Sequence, residues 1–319
     1  MAVVFVKWVR GYPLLSEALT GFFGCEFGRE KYTPTQPEGG RLYLDFFSFS
    51  ERPFDVTPNT RFLYLSPQHE EAIETLLYAV HERRGFVVLT GEVGTGKTTS
   101  IREFLNRLNG SVETSLIINP LLSTLELLKG INRDFGLSVG EGDSIQREIE
   151  TLNAFLLQKD REGRTAAVII DEAQDLSLES LEMVRLLSNL ETETHKLLQL
   201  ILVGQPELEG KLGEDSLRQL RQRVQLRYAL GPLSPEDTQA YILHRIRTAS
   251  EKCCLVFQPD AFVRIHRYSG GIPRLVNTLC ELVLLAAYTR ETHVITGSIV
   301  DRAFAEMGDK SWFRSRRIL

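Results

Sequence analysis

The chain has 319 residues, of which 43% are hydrophobic and 25% charged, with a formal net charge of −5. This composition is typical of a soluble globular protein of about two domains, and it argues against a surface that is basic throughout, as a general nucleic-acid binder would have. No apolar run approaches the ~20 residues that span a bilayer, and no secretory leader is expected. The four cysteines are consistent with reduced thiols in a cytoplasmic protein that has no zinc site or metal cluster.

Residues 1–40 differ from the rest, being rich in glycine and aromatic residues and ending in the linker-like KYTPTQPEGG, and they indicate an N-terminal extension over 1–42. We expect a poorly ordered extension there, or an upstream start that the working protein does not use. The first clear helix signal follows, with Ser66 as N-cap and Pro67 at the first helical position. Apolar residues then recur at helical spacing until Gly85 ends the helix.

Short apolar and β-branched runs come next, most of them separated by helical patterns. Continuous apolar strands that alternate with helices predict a parallel sheet covered by helices on both faces. The predicted strands are GFVVLTG at 85–91, SLIIN at 115–119, AAVIID at 166–171, LQLILVG at 198–204 and RVQLRY at 223–228.

Beyond Pro232 the strand patterns stop. SPED at 234–237 is similar to a capping box, with Ser234 as N-cap and Pro235 at the first helical position. Helical patterns then continue to about residue 307, broken at FQPD, SGGIP and THVITGS. They predict a small all-helical domain of about four helices over 233–308, followed by a basic tail at 309–319.

GEVGTGKT at 91–98 fits the pattern GxxxxGK[ST] between a predicted strand and a predicted helix, the context that a phosphate-binding loop requires. The loop's N–H groups would surround the phosphates, and the helix N-terminus adds partial positive charge. Lys97 would reach the β- and γ-phosphates, and Thr98 would offer its hydroxyl to Mg²⁺. A chance glycine-rich turn is the alternative. The predicted nucleotide-binding residues here are Gly91, Glu92, Val93, Gly94, Thr95, Gly96, Lys97, Thr98 and Thr99.

Two later strands also end in polar residues. AAVIIDEAQ supplies Asp171, which would hold Mg²⁺, and Glu172, which could orient and deprotonate the attacking water. The alternative is that these acidic residues merely cap the next helix. ILVGQPEL ends its strand in Gln205, which could sense the γ-phosphate or could simply be a polar residue in a strand-to-helix turn.

Arginines recur in two further places. LRQLRQRVQLR at 217–227 is rich in them, and arginine stabilises transferring phosphoryl charge when a neighbouring subunit supplies it; a solvated basic helix face is the alternative. GGIPRLVN at 270–277 starts a helix in the small domain, with Arg274 either aimed at the nucleotide or lying in a surface cap. The first set comprises Arg218, Arg221, Arg223 and Arg227.

Together these motifs resemble the AAA+ ATPases of the general secretion pathway protein A (ExeA/GspA) type. The resemblance covers roughly 43–308 and is strongest in FSERPFDVTPNTRFLYLS, upstream of the phosphate loop. VIIDEAQDLSLESLEMVRLLSNLET, LILVGQPEL, LRQLRQRV and GGIPRLVNTLC match in order. It implies an α/β fold: an AAA+ P-loop NTPase core over 43–232, with a parallel sheet between helices, followed by a helical lid over 233–308.

The resemblance also implies roles for residues. The segment around Phe54–Tyr64 would line the adenine pocket, and the protein would hydrolyse ATP with Mg²⁺ as a homo-oligomer, often a ring. Secretion-type members continue into a transmembrane helix and a periplasmic domain, whereas this sequence ends in DKSWFRSRRIL. The implied roles are Walker A for Lys97 and Thr98, Walker B for Asp171 and Glu172, sensor 1 for Gln205, sensor 2 for Arg274, and the trans-acting arginine finger for Arg223, with Arg221 second.

Three functions are compatible with this reading. The first is an oligomeric ATPase that assembles or remodels a secretion or envelope complex, in the cytoplasm at the inner face of the membrane, with a membrane or envelope partner protein. The second is a DNA-transposition regulator of the TnsC kind, whose rings or filaments coat duplex DNA with steep salt dependence. The third is a non-hydrolysing scaffold, against which Glu172 beside Asp171 argues. We favour the first.

Overall fold

The computed structural model places the described residues in one compact unit. The expectations for the N-terminal extension, apart from its last residue, and for the basic tail at 309–319 lie outside the described residues. The structure describes residues 42–55, 59–108, 110–118, 120, 122–140, 142, 144–250 and 254–307.

Helices and strands alternate through the first two thirds of the chain. The strands are β1 (Phe86–Gly91), β2 (Val112–Ile117), β3 (Thr165–Ile170), β4 (Leu198–Gly204), β5 (Leu226–Leu230), β6 (Val256–Phe257) and β7 (Val294–Ile295). The helices are α1 (Leu42–Phe47), α2 (Pro67–His81), α3 (Lys97–Arg107), α4 (Thr124–Asp134), α5 (Ile145–Arg161), α6 (Leu178–Leu187), α7 (Glu207–Leu212), α8 (Arg218–Arg221), α9 (Pro235–Ala249), α10 (Pro259–Ser269), α11 (Pro273–Tyr288) and α12 (Gly297–Glu306).

Strands β1–β5 form one parallel sheet in the order β2-β3-β4-β1-β5. Successive side chains of a strand point to opposite faces, so each central strand feeds two hydrophobic clusters. Val88 and Val168 pack on one face with residues of α4 to α8. Leu89 and Ile169 pack on the other with residues of α2 and α3. The predicted parallel sheet with helices on both faces is confirmed.

Two predicted strands were wrong in extent. Strand β2 begins at Val112, three residues before the predicted SLIIN, because the edge strand opens with the partly buried VET, in which one apolar residue precedes two polar ones, rather than with an apolar run. Strand β5 begins at Leu226, because residues 221–224 still turn after α8 through hydrogen bonds from the backbone N–H groups of Arg223 and Val224. Within the described part of the chain, no helix has both the length and the apolar character to cross a bilayer.

Helices α9 to α12 form a lid body that is not purely helical, so the all-helical expectation for 233–308 was wrong in this respect. Strands β6 and β7 pair in parallel between the helices. Phe257 and Ile295 point inward and are buried, whereas Val256 and Val294 are exposed, which is the alternation of a strand. Two residues are too few to give a periodic signal in a sequence.

The described part of the segment from Tyr43 to Phe62, which the sequence places in the ATPase core, packs in the lid body instead. Its aromatic side chains share one hydrophobic cluster with α9, α10, α11 and α12. The Ser50 N–H donates to the carbonyl of Ala249 at 2.9 Å, and the buried guanidinium of Arg245 donates to the carbonyl of Asp55. The lid is therefore built from two parts of the chain, one that precedes the sheet domain in the sequence and one that follows it.

Candidate functional site

The phosphate loop leaves the carboxyl end of β1 and enters α3. Gly94 and Gly96 have φ of +82° and +106°, which side chains rarely adopt. Gly91 is needed for packing, since a Cβ there would lie 2.7 Å from the carbonyl oxygen of Leu230. Helix α3 begins at Lys97 without a side-chain cap, so its first N–H groups remain available to an anion.

Lys97 is buried at the start of α3, with 6% of its surface exposed. Its Nζ donates to the carbonyl oxygens of Gly91 and Glu92 at 2.7 and 3.1 Å, and it forms no ion pair among the described residues. Burial lowers the pKa of Lys97, and the charges of Glu172 and Asp171 oppose that shift only in part. The ammonium thus lies in a site where an incoming phosphate would provide the missing counter-charge.

Thr98 and Asp171 join the phosphate loop to the end of β3. The Thr98 hydroxyl donates to Asp171 Oδ2 at 2.8 Å, and the Glu172 N–H donates to Asp171 Oδ1 at 2.9 Å. Asp171 is buried, and burial raises its pKa despite these donors. A hydroxyl and a carboxylate are the hard oxygen ligands that Mg²⁺ takes together with water and phosphate, so this pair fits the cation.

Glu172 follows Asp171 in a left-handed backbone conformation, with φ +52° and ψ +39°. Such a conformation is unfavourable for a residue other than glycine and often marks functional sites. Gln205 lies after the neighbouring strand β4, and its Nε2 donates to Glu172 Oε2 at 3.3 Å. The structure therefore brings Glu172 and Gln205 together at the carboxyl edge of the sheet, where ligands bind in parallel α/β folds.

Arg274 lies in the first turn of α11, against the phosphate loop. Its N–H donates to the carbonyl oxygen of Gly94 at 3.3 Å, and a Cβ on Gly94 would lie 2.7 Å from the Arg274 Cβ. The side chain is exposed. The lid thus contacts the loop through backbone, while the guanidinium remains free to reach a ligand beside it.

The arginines around α8 lie elsewhere. The Gln225 N–H donates to the carbonyl of Phe86 at 3.0 Å, which places this region at the amino edge of the sheet, opposite Gly91. Arg221 donates to the carbonyl of Gly213 at 2.7 Å. Arg223 lies near Glu191, because the pKa of Glu191 is lowered by Lys196 and, more weakly, by Arg223. These arginines are not part of the chain's own phosphate site.

A cleft of about 140 Å³ opens beside the loop. The upstream wall is formed by Asn59 to Tyr64, whereas Phe54, also expected there, is buried in the lid cluster. Residues 56–58 of that segment lie outside the described residues. Thr99 contributes from α3 and Tyr241 from the lid. A nucleotide base next to the phosphates would occupy such a cleft.

His69 was missed by the sequence reasoning. It is buried in the first turn of α2, with its Nε2 at 2.9 Å from the carbonyl oxygen of Thr95 and its Nδ1 at 2.7 Å from the Ser66 hydroxyl. Ser66 is the N-cap of α2, as predicted, but its hydroxyl bonds His69 instead of capping the helix. The only sequence signal was their spacing of three residues.

Comparison with known proteins agrees with the geometry. A family model described as AAA domain matches residues 80–212. The "General secretion pathway protein A" of Aeromonas hydrophila is 42% identical over 268 residues, which are 83% of this chain and 48% of that protein. The chain therefore spans about half the length of this relative.

Solved structures of low identity share the fold. The Aeropyrum pernix ORC2 protein in ADPNP–ADP complexes has a TM-score of 0.58 at 16% identity, covering 81% of this chain and 72% of that one. Pyrobaculum aerophilum Cdc6p has a TM-score of 0.59 at 18% identity, covering 80% and 70%. The Thermotoga maritima RuvB Holliday junction branch migration motor has a TM-score of 0.52 at 17% identity, covering 79% and 76%.

Proposed function

The chain belongs to the general secretion pathway protein A family of AAA+ ATPases, and from this premise we propose that it hydrolyses Mg²⁺-bound ATP to assemble or remodel a secretion or envelope complex. The observation that carries the proposal is the meeting of Lys97, Thr98, Asp171 and Glu172 at one edge of the sheet. The 42% identity to a general secretion pathway protein supports the pathway.

The phosphates of ATP would bind along the loop. N–H groups at the start of α3 would donate to the phosphate oxygens, and the buried ammonium of Lys97 would exchange its carbonyl partners for phosphate oxygens. Thr98 and Asp171 would hold Mg²⁺, which when bound neutralises charge on the phosphate oxygens. Thr99 and the segment Asn59–Tyr64 would line the adenine side of the site.

Glu172 is the candidate general base for the attacking water. Its carboxylate already accepts a hydrogen bond from Gln205, so the two side chains can be placed on the same water and terminal phosphate. Removal of a general base typically costs about 10²- to 10⁴-fold in rate. The lid would respond to loss of phosphate, since Arg274 adjoins Gly94 in the loop.

Oligomerisation enters the proposal through Arg223. This arginine lies at the amino edge of the sheet, so it could act only on the site of a neighbouring subunit. A ring or filament in the cytoplasm, at the inner face of the membrane and bound to an envelope protein, would use that contact to pass the state of one site to the next. Duplex DNA is a weaker candidate partner, because Arg221 and Arg227 are bonded to Gly213 and Glu209 within the chain.

The test compares the unaltered protein with Glu172→Gln. We expect Mg²⁺-dependent ATP turnover in the first, and ATP binding without turnover in the second.

The trapped Glu172→Gln protein should then sediment with inner-membrane vesicles from a secretion-competent host but bind duplex DNA no better with ATP than without it, across a salt series. Normal turnover by Glu172→Gln would show that Glu172 is not the general base. ATP-dependent DNA binding that weakens steeply with salt would favour the function of a DNA-transposition regulator over a role in secretion.

A further inference from the structure

The side-chain amide of Gln174 bridges two strand ends at the candidate site. Its Nε2 donates to Glu172 Oε2 at 2.9 Å, and its Oε1 accepts from the Gln205 N–H at 3.0 Å. The amide N–H group of Gln174 therefore contacts the candidate base, and its amide oxygen contacts the end of β4. The Gln205 side chain donates to the same carboxylate oxygen at 3.3 Å, which closes a three-residue ring of hydrogen bonds.

The position of Gln174 is fixed from several directions. Its carbonyl oxygen accepts from Lys211 Nζ of α7 at 3.0 Å, which pins the turn Ala173–Asp175 to that helix. Gly204 leaves just enough room, because a Cβ there would lie 2.9 Å from Gln174 Oε1. Gln174 Nε2 also lies 3.2 Å from Asp175 Oδ2. The amide consequently has one orientation, with its N–H toward Glu172.

We propose that Gln174 is a positioning residue that couples the end of β4 to the Glu172 carboxylate, an inference that rests on the proposed ATPase function. Glu172 lies outside strand and helix, in a left-handed backbone conformation, so neighbouring hydrogen bonds orient its side chain. When a terminal phosphate engages Gln205, a shift of that backbone passes through the Gln174 amide to Glu172. Hydrolysis competence then follows occupancy of the phosphate site.

Two substitutions separate positioning from packing. Gln174→Glu keeps the size of the side chain and the acceptor for the Gln205 N–H, but it places a carboxylate against Glu172. Gln174→Met keeps the length and removes both hydrogen bonds. Packing alone predicts that the near-isosteric glutamate is the milder change. Positioning predicts that glutamate is the more harmful change, because it repels the base and loses the donor.

The experiment measures ATP turnover and ATP binding by the full chain. We expect kcat to fall about 10- to 100-fold in Gln174→Met and further in Gln174→Glu, with the Kd for ATP within about threefold of the unaltered protein. Thermal melting should show that both variants fold. Gln158 is the matched control, since its amide donates to the Glu162 carboxylate at 2.9 Å on the surface of α5; Gln158→Glu should leave kcat unchanged.

The Glu172→Gln background gives a second readout. If Gln174 acts through Glu172, Gln174→Met should cause no further loss of the residual turnover of Glu172→Gln, whereas an independent role would make the losses multiply. Normal kcat in Gln174→Glu, or multiplied losses, would overturn the inference and leave the ATPase proposal standing. Absence of turnover in the unaltered protein would overturn the proposed function, and this inference with it.

Discussion

The Nε2 of His69 lies 2.9 Å from the carbonyl oxygen of Thr95, so helix α2 is hydrogen-bonded to the phosphate loop. A carbonyl only accepts, so Nε2 carries a proton, and in the neutral ring Nδ1 then accepts from the Ser66 hydroxyl at 2.7 Å. A Cβ on Gly96 would lie 2.6 Å from the same Nε2. The loop is thus shaped from outside by a neutral, buried imidazole.

The first prediction concerns acid sensitivity. Burial lowers the pKa of His69 below the ordinary value of about 6.5 that it regains on unfolding. Below about pH 6.5 the unfolded chain binds a proton that the folded one does not, so the free energy of unfolding decreases as pH falls, until the lowered pKa is passed. His69→Gln should lose less stability between pH 7.5 and 5.5 than the unaltered protein, measured by urea unfolding.

The control for that prediction lies on the same helix. His81 is exposed, so His81→Gln should keep the full acid sensitivity. Glutamine at position 69 can still donate to the Thr95 carbonyl, so ATP binding at pH 7.5 should be nearly retained. Equal acid sensitivity in His69→Gln and the unaltered protein would show that folding does not lower the pKa of His69.

The second prediction separates stability from ligand binding at Lys97. Lys97→Met removes a buried ammonium that forms no ion pair with any residue the structure describes, so the nucleotide-free protein should melt no lower than before. ATP affinity should fall at least about 30-fold, as for loss of a buried charged contact of about 2 kcal/mol or more. At the same ATP concentration, ATP should therefore raise the melting temperature much less than in the unaltered protein.

Lys129 offers the matched control for Lys97. Its Nζ also donates to a carbonyl, that of Gly140, at 2.7 Å, but on α4. Lys129→Met should leave the ATP-induced rise in melting temperature intact. An undiminished rise in Lys97→Met would contradict the phosphate-site assignment.

The sequence predicted the parts of the site whose cues are local. The loop 91–99 has its glycines, lysine and threonine within nine residues, and Asp171 and Gln205 each end an apolar strand. His69 could not be predicted, because its contact with Thr95 joins residues 26 apart through the packing of α2 on α3. The Gln174 amide likewise depends on β3 and β4 being neighbours, an order that no pattern within the chain encodes.

The fold shows the same division. Apolar runs predicted the three central strands β1, β3 and β4 well, since burial on both faces leaves a clear signal, whereas the edge strands β2 and β5 were wrong in extent. The aromatic segment from Tyr43 to Phe62 also contributes buried side chains, but its sequence does not indicate which body it joins. Its contacts join residues far apart in the sequence, such as Ser50 with Ala249 of α9 and Tyr43 with Glu281 of α11, so its proximity to the sheet domain in the sequence was misleading.

The third prediction tests the strain at Glu172. A left-handed conformation disfavours residues with a Cβ, so Glu172→Gly should be more stable than Glu172→Ala by about 1 kcal/mol in urea unfolding. The order should reverse at Glu182, an exposed position inside α6, where glycine costs about 1 kcal/mol relative to alanine. A more stable Glu172→Ala would show that the backbone relaxes there.

The fourth prediction concerns the sharing of sites between subunits. Arg223 lies at the amino edge of the sheet and Glu172 at the carboxyl edge, so one subunit cannot use both on the same nucleotide. Arg223→Ala alone should turn over ATP at least about 100-fold more slowly, and Glu172→Gln similarly, because each lacks one half of a shared site. In a mixed oligomer, some interfaces join an intact Glu172 to an intact Arg223. Turnover should therefore rise above that of either variant and pass through a maximum near equal mixing.

Arg218→Ala mixed with Glu172→Gln in the same ratios is the control for simple dilution. Activity that never exceeds the sum of the two separate proteins at any ratio would rule out Arg223 as a trans-acting residue.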